Sequence, residues 1–360
     1  MSTDKTVEKW DVHTHTTLAP DTFDALARFT HYADLIRVRA HASKPCCAEM
    51  VNSRGEVQRV IEANAYDAAI RVDECDHHHV TMQVLSPTPM MIPDRVDDAA
   101  DAAEICHILN DGNAALVAQF PTRFTALAAL PMRHAREAIA EITRVKALGF
   151  HGVEINSNID GMDLSEPRFF PIFEALANAD MAVFLHPWGG VMSPTDAALK
   201  QRMNQHWRAW LIGMGTETAL AFDALRSGRV HERLPHLRVL YAHGGGVFPT
   251  LLGRLEHGQY CRPDLFADAS PLDPYRTVRE CGVYVDTLTH DEAVLALLVA
   301  QLGVERIAMG SDYPYPLGEL NVIGKKGLYP GHLVEHSALL TPAQKQRILC
   351  GTAKEWLAWK

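Results

Sequence analysis

The chain has 360 residues, 47% of them hydrophobic and 22% charged, enough apolar material to bury a core without disulfides or a structural metal. Its formal net charge is −10 and no lysine- or arginine-rich run offsets it, which argues against nucleic acid or an anionic membrane surface as a partner. Seven scattered cysteines without CxxC spacing exclude a thiolate zinc site or a thioredoxin-like motif and suit a reduced, cytoplasmic chain.

The opening MSTDKTVEKW is polar and unlike a signal peptide, and no apolar run downstream reaches the length of a membrane span. A first strand is predicted over 9–13. A long mixed stretch from 16 to about 71 follows and is expected as an insertion over one face of the fold. The run His77-His78-His79 reads as a solvated turn before a second strand over 80–85. A helix over 99–119 leads to a strand over 124–129, a helix over 134–148 to a strand over 152–155, and a further strand covers 182–186. A second long connection, 188–236, carries HWRAWL and ETALAFDALRSG before a strand over 238–243. After FPTLLGRLEHGQYCRPDL come a strand over 283–287, a helix over 291–303 and a last strand over 306–310. Eight strands alternating with helices predict βαβ units and a parallel sheet. Without a GxGxxG after the first strand, a dinucleotide-binding sheet is disfavoured. The expectation is one α/β domain over 1–360, a TIM-like (β/α)8 barrel with insertions over its C-terminal face.

The strand ends carry the chemistry. In WDVHTH, His13 and His15 are two apart and share a strand face. The fifth strand ends in FLHPW with His186, the sixth in YAHGGG with His243, and the eighth in MGSDYPYP with Asp312. In a closed barrel all these ends converge on one rim. A catalytic zinc keeps three or four protein ligands and an open position. His13, His15, His186 and Asp312 supply three nitrogens and an oxygen, leaving His243 free as a general base toward water activated by the ion. The fourth strand, HGVEIN, offers Glu154 and Asn156 but no lysine, so one divalent ion, expected to be zinc, is the simpler reading than two bridged by a carbamylated lysine.

The set HTH, FLHPW, YAHGGGVFP and MGSDYPYPLGE resembles the amidohydrolase superfamily in its mononuclear decarboxylase branch. The likeness runs from Trp10 to about Trp359 and includes RVIEANAYDAAIRVDECD, WLIGMGTETALAF and HGQYCRPDL. It implies His13, His15, His186 and Asp312 as metal ligands and His243 as acid/base. It further implies Arg59 as a holder of a substrate carboxylate and Trp207 as a packing surface for a planar substrate. Arg262 would reach the neighbouring subunit's site, which implies a homodimer. The activity implied is non-oxidative decarboxylation of a small conjugated dicarboxylate. A metal-dependent hydrolase of a lactone, ester or amide, an aromatic-carboxylate decarboxylase and a non-catalytic zinc-binding barrel are the alternatives. Gly189 stands where the family usually has an acid, and Tyr66 where it has a tryptophan, so the substrate's substituents are left open.

Overall fold

The computed structural model describes residues 8–319 and 329–360; most of the polar N-terminal stretch lies outside them. Eight parallel strands form the central sheet: β1 (Trp10–Thr16), then, after three strands of the insertion, β5 (Met82–Pro87), β6 (Phe124–Ala129), β7 (Gly152–Asn156), β8 (Ala182–His186), β9 (Val239–Tyr241), β10 (Val283–Asp286) and β11 (Ile307–Ala308). Each pairs with the next in chain order. The last residues return to the first strand through Val12 N–H to Met309 O at 2.9 Å and His15 N–H to Tyr313 O at 2.7 Å. The sheet is thus a (β/α)8 barrel.

The helices expected over 99–119, 134–148 and 291–303 are present, and the first and last of them start for a common reason. Asp98 accepts hydrogen bonds from the N–H groups of Ala100 and Asp101 and opens the helix Ala99–Gln119. Asp291 accepts from Ala293 and Val294 and opens Glu292–Leu302. Each aspartate satisfies donors that the first turn leaves without partners. Three apolar clusters are buried among the described residues, one of them beneath the insertion around Phe29, Met50 and Ile105. Another lies between strands and helices and includes Ile142, Phe173, Phe222 and Leu298. The third fills the barrel with Val12, Val84, Leu127, Phe184, Leu240 and Tyr284, and is closed below by Trp356.

Two boundaries matter for function. The first strand continues three residues beyond the predicted 9–13, and its pairing with β5 shifts register between Asp11 and Thr14. Such an irregularity re-aims side chains: Trp10 and Val12 pack in the barrel's apolar interior, whereas His13 and His15 face its mouth. The sixth strand stops at Tyr241, so His243 lies in a turn beyond it. The insertion contains a sheet that the mixed sequence pattern did not reveal, with antiparallel strands β2 (Arg37–Ala40), β3 (Cys47–Val51) and β4 (Val57–Glu62). It ends before Arg71, which sits inside the helix Ala68–His77.

Candidate metal centre and substrate cleft

His13 and His15 from the first strand, His186 from the end of the fifth barrel strand and Asp312 from the turn after the eighth come together, each offering a ligand atom within 4.8 Å of the others. Asp312 Oδ1 lies 3.2 Å from His15 Nε2 and 3.6 Å from His13 Nε2. All four residues are buried. Yet His13 Nε2 and both ring nitrogens of His15 and His186 have no hydrogen-bond partner. A buried polar atom left unpaired costs about 1–3 kcal/mol, and three rings each offering one such nitrogen beside a single carboxylate fit a divalent cation. Three nitrogens and one oxygen are a donor set suited to such an ion.

The electrostatics favour the ligating forms of His15, His186 and Asp312. Burial pushes the His15 imidazole down to about 4 and His186 well below its ordinary value, the latter reinforced by the neighbouring imidazoles. Both are neutral at pH 7, the form that coordinates. Burial opposes charge on His13 as well, but its bond to Asp286 and the charges of Asp286, Asp312 and Asp11 outweigh this and raise its pKa. Burial likewise opposes the Asp312 anion, but His15, His243 and His13 hold its carboxyl well below the usual range.

Behind these residues lies a layer of acids that the sequence reasoning missed or left without a role. Asp286, the last residue of the seventh barrel strand, accepts a hydrogen bond from His13 Nδ1 at 2.7 Å. This fixes the tautomer with Nε2 free, and a carboxylate behind a ligating histidine raises its basicity. Its signal was present: VYVDT ends a strand with an ionisable residue, as FLH and YAH do. Asp11 accepts from the N–H groups of His13 and Ser311 and anchors the Asp312 turn to the first strand; burial raises its carboxyl to about 6. Glu154 is fully buried, accepts from Ser86 Oγ, and approaches His15 Nδ1 at 3.9 Å.

His243 stands beside the centre, its Nε2 3.9 Å from Asp312 Oδ2, with neither ring nitrogen bonded. A narrow cleft, about 50 Å3 of free space, is lined by His15, His186 and Asp312 of this centre together with Arg59, Trp207, Trp210 and Tyr315. The insertion delivers Arg59 from β4, its guanidinium 4.5 Å above the Tyr315 ring and 5.5 Å from that of Trp210. Trp207 is 45% exposed, so it is a wall residue and not a core tryptophan. Trp210 and Tyr315 fall within HWRAWL and MGSDYPYP, where the sequence alone does not mark them as cleft residues. Arg262 lies apart from this cleft, at the end of the helix Phe248–Cys261, paired with Asp264 of its own chain at 2.6 Å. Gly189 adopts a φ of +72°, which an acidic side chain would resist. His77 and His79 are exposed at the rim opposite the metal centre.

Fold and site together define a barrel enzyme with a divalent-metal centre at the C-terminal mouth of its strands. The chain belongs to the amidohydrolase family, which it matches over residues 10–359. It is 38% identical over 350 residues to a 2-amino-3-carboxymuconate-6-semialdehyde decarboxylase of Dictyostelium discoideum, covering 97% of this chain and 91% of that one. Among solved structures it resembles the Metarhizium anisopliae protein IDCase in its apo form, with a TM-score of 0.81, 22% identity and coverage of 99% and 98%. It also resembles a 5-carboxyvanillate decarboxylase of Novosphingobium aromaticivorans carrying manganese and a nitrobenzoic acid, with a TM-score of 0.77, 19% identity and coverage of 98% and 97%. Among the described residues no helix is long and apolar enough to cross a membrane.

Proposed function

We propose that this chain is a metal-dependent, non-oxidative decarboxylase of 2-amino-3-carboxymuconate-6-semialdehyde or a closely related conjugated dicarboxylate. The carrying observation is that Arg59 and an aromatic wall line one cleft with His15, His186 and Asp312 of the His13, His15, His186 and Asp312 cluster. A carboxylate-binding cation, flat π surfaces and a divalent-metal centre thus share one cleft. The likeness to the Dictyostelium decarboxylase supports the same reading.

Arg59 holds one substrate carboxylate through its forked donors. Trp207, Trp210 and Tyr315 receive the planar conjugated chain, and their bulk keeps the cleft dry. When bound, the divalent ion supplies positive charge for a developing oxyanion and acidifies adjacent water. His243 moves the proton: the C–C bond to the departing carboxylate breaks, carbon dioxide leaves, and the carbon takes a proton in its place. Zinc is the ion we assign from the nitrogen-rich donor set, although the Novosphingobium neighbour carries manganese. We further assign a homodimer in the cytoplasm, each chain a single barrel domain over 1–360, with Arg262 completing the partner's cleft.

A substrate scan separates this reading from metal-dependent hydrolysis. Release of carbon dioxide from conjugated dicarboxylates is expected; ring opening or acid release from lactones, esters or amides without decarboxylation would overturn it.

A further inference from the structure

Asp286 touches more than one functional residue. Its carboxylate is fully buried and takes four donors: Oδ2 accepts from His13 Nδ1 at 2.7 Å and from the His243 backbone N–H at 2.9 Å. Oδ1 accepts from the N–H groups of Gly244 at 2.7 Å and Leu288 at 3.0 Å. An ionised carboxylate offers about four acceptor positions and no donor, so its capacity is filled. Two of the four donors lie at the bend that carries the acid/base. There His243 has a φ of +58° and Gly244 one of +61°, and the left-handed region is unfavourable for a histidine unless its surroundings impose it. The turn spans His243–Gly245 with Gly246 as its exit, and a Cβ at Gly246 would lie 2.3 Å from Gly215 O. One side of the bend is therefore pressed against Gly215, and the other is gripped by Asp286.

We propose that Asp286 is a positioning residue that couples the metal centre to the acid/base: one oxygen sets the His13 tautomer and the place from which the His243 imidazole works. The inference rests on the ligand and acid/base roles assigned above, and adds that the two are held by one group. Asparagine cannot substitute, because its amide nitrogen would be turned toward at least one N–H donor. Two separable losses follow. The ion should bind more weakly, by roughly 10- to 100-fold, because His13 loses its carboxylate partner. In addition, kcat should fall by about 10- to 100-fold even at full metal loading, because His243 is displaced. KM should hold, since Arg59 and the aromatic wall stand on other elements.

The test is Asp286→Asn, with zinc affinity measured by competition against a chromogenic chelator and steady-state kinetics measured at saturating zinc. Weaker zinc binding together with lowered kcat and unchanged KM is expected. A wild-type kcat once zinc is saturating would overturn the coupling, and so would a rise in KM alone. If the variant does not fold, hydrogen exchange on the wild-type protein still decides. The His243 and Gly244 amides are expected to exchange slowly, with the His13 Nδ1 proton visible by NMR at low field. Rapid exchange at both amides would overturn the proposal. His243→Ala separates the two levels: full turnover in that variant sinks the acid/base assignment itself, whereas an inactive His243→Ala beside an Asp286→Asn with wild-type kcat sinks only the coupling.

Discussion

Arg59→Met tests how the cleft recognises an anion. Arg59 is half-buried and spans the faces of Tyr315 and Trp210, and among the described residues it forms no ion pair. Its charged donors are therefore available to a ligand, in contrast to Arg262, which is paired with Asp264. Methionine keeps much of the apolar stem and removes the guanidinium. A charge-assisted hydrogen bond to a carboxylate contributes about 1.5–3 kcal/mol, which at about 1.4 kcal/mol per decade is a loss of about 10- to 150-fold in kcat/KM. The loss should fall mainly on KM, because the contact is made in the ground state and the transition state alike. Steady-state decarboxylation kinetics, with metal content and melting temperature read on the same preparations, provide the assay. Metal content should not change, and Arg59→Lys should recover part of the loss, since a point charge replaces the fork. Wild-type kcat/KM in Arg59→Met would refute the assignment of Arg59 to the substrate carboxylate.

Two further perturbations address other parts of the site. His243→Ala is expected to abolish turnover while the ion stays bound, because His243 is no ligand in this arrangement; metal analysis and single-turnover assays check it, and residual full activity contradicts it. Asp94, buried near the barrel mouth and bonded to Asn156 Nδ2 at 2.6 Å, has its carboxyl pushed by burial up to about 7 from 3.8. The folded chain therefore holds a proton that the unfolded chain has released, so stability falls as pH rises from about 4 to 7 and stays lowered above that. The difference amounts to about 4 kcal/mol at pH 8. Asp94→Asn should remove it, so its stability relative to the wild type should improve between pH 5 and pH 8 in urea titrations; a gap that does not change with pH would contradict the assignment.

What could be read from the sequence follows from how local each signal is. Barrel strands are buried, apolar and of limited length, and each ends in a rim residue, so His186 at the end of AVFLH was visible without knowledge of the fold. The HTH pair was visible as a pair, but its aim depends on the register shift between Asp11 and Thr14, a property of two strands together. Asp286 escaped notice because a strand-ending aspartate is also a common cap, and nothing within VYVDT records that His13, 273 positions away in the chain, bonds to it. The three-stranded sheet of the insertion was hidden for a similar reason. Its second strand is half-buried to buried and its third mostly exposed, with charges interspersed, so neither shows a clean alternation and only pairing turns them into a sheet. The family likeness supplied Arg59 and Trp207, where spacing alone had no argument to offer.

The most direct test of the central claim is decarboxylation of freshly generated 2-amino-3-carboxymuconate-6-semialdehyde by the purified chain, with divalent metal quantified on the same sample before and after chelation. The account expects rapid loss of substrate with release of carbon dioxide at about one ion per chain, loss of activity on chelation, and its return when the metal is restored. Turnover that survives complete removal of metal, or a fully metallated protein that releases no carbon dioxide from this substrate or from related conjugated and aromatic carboxylates, would contradict it.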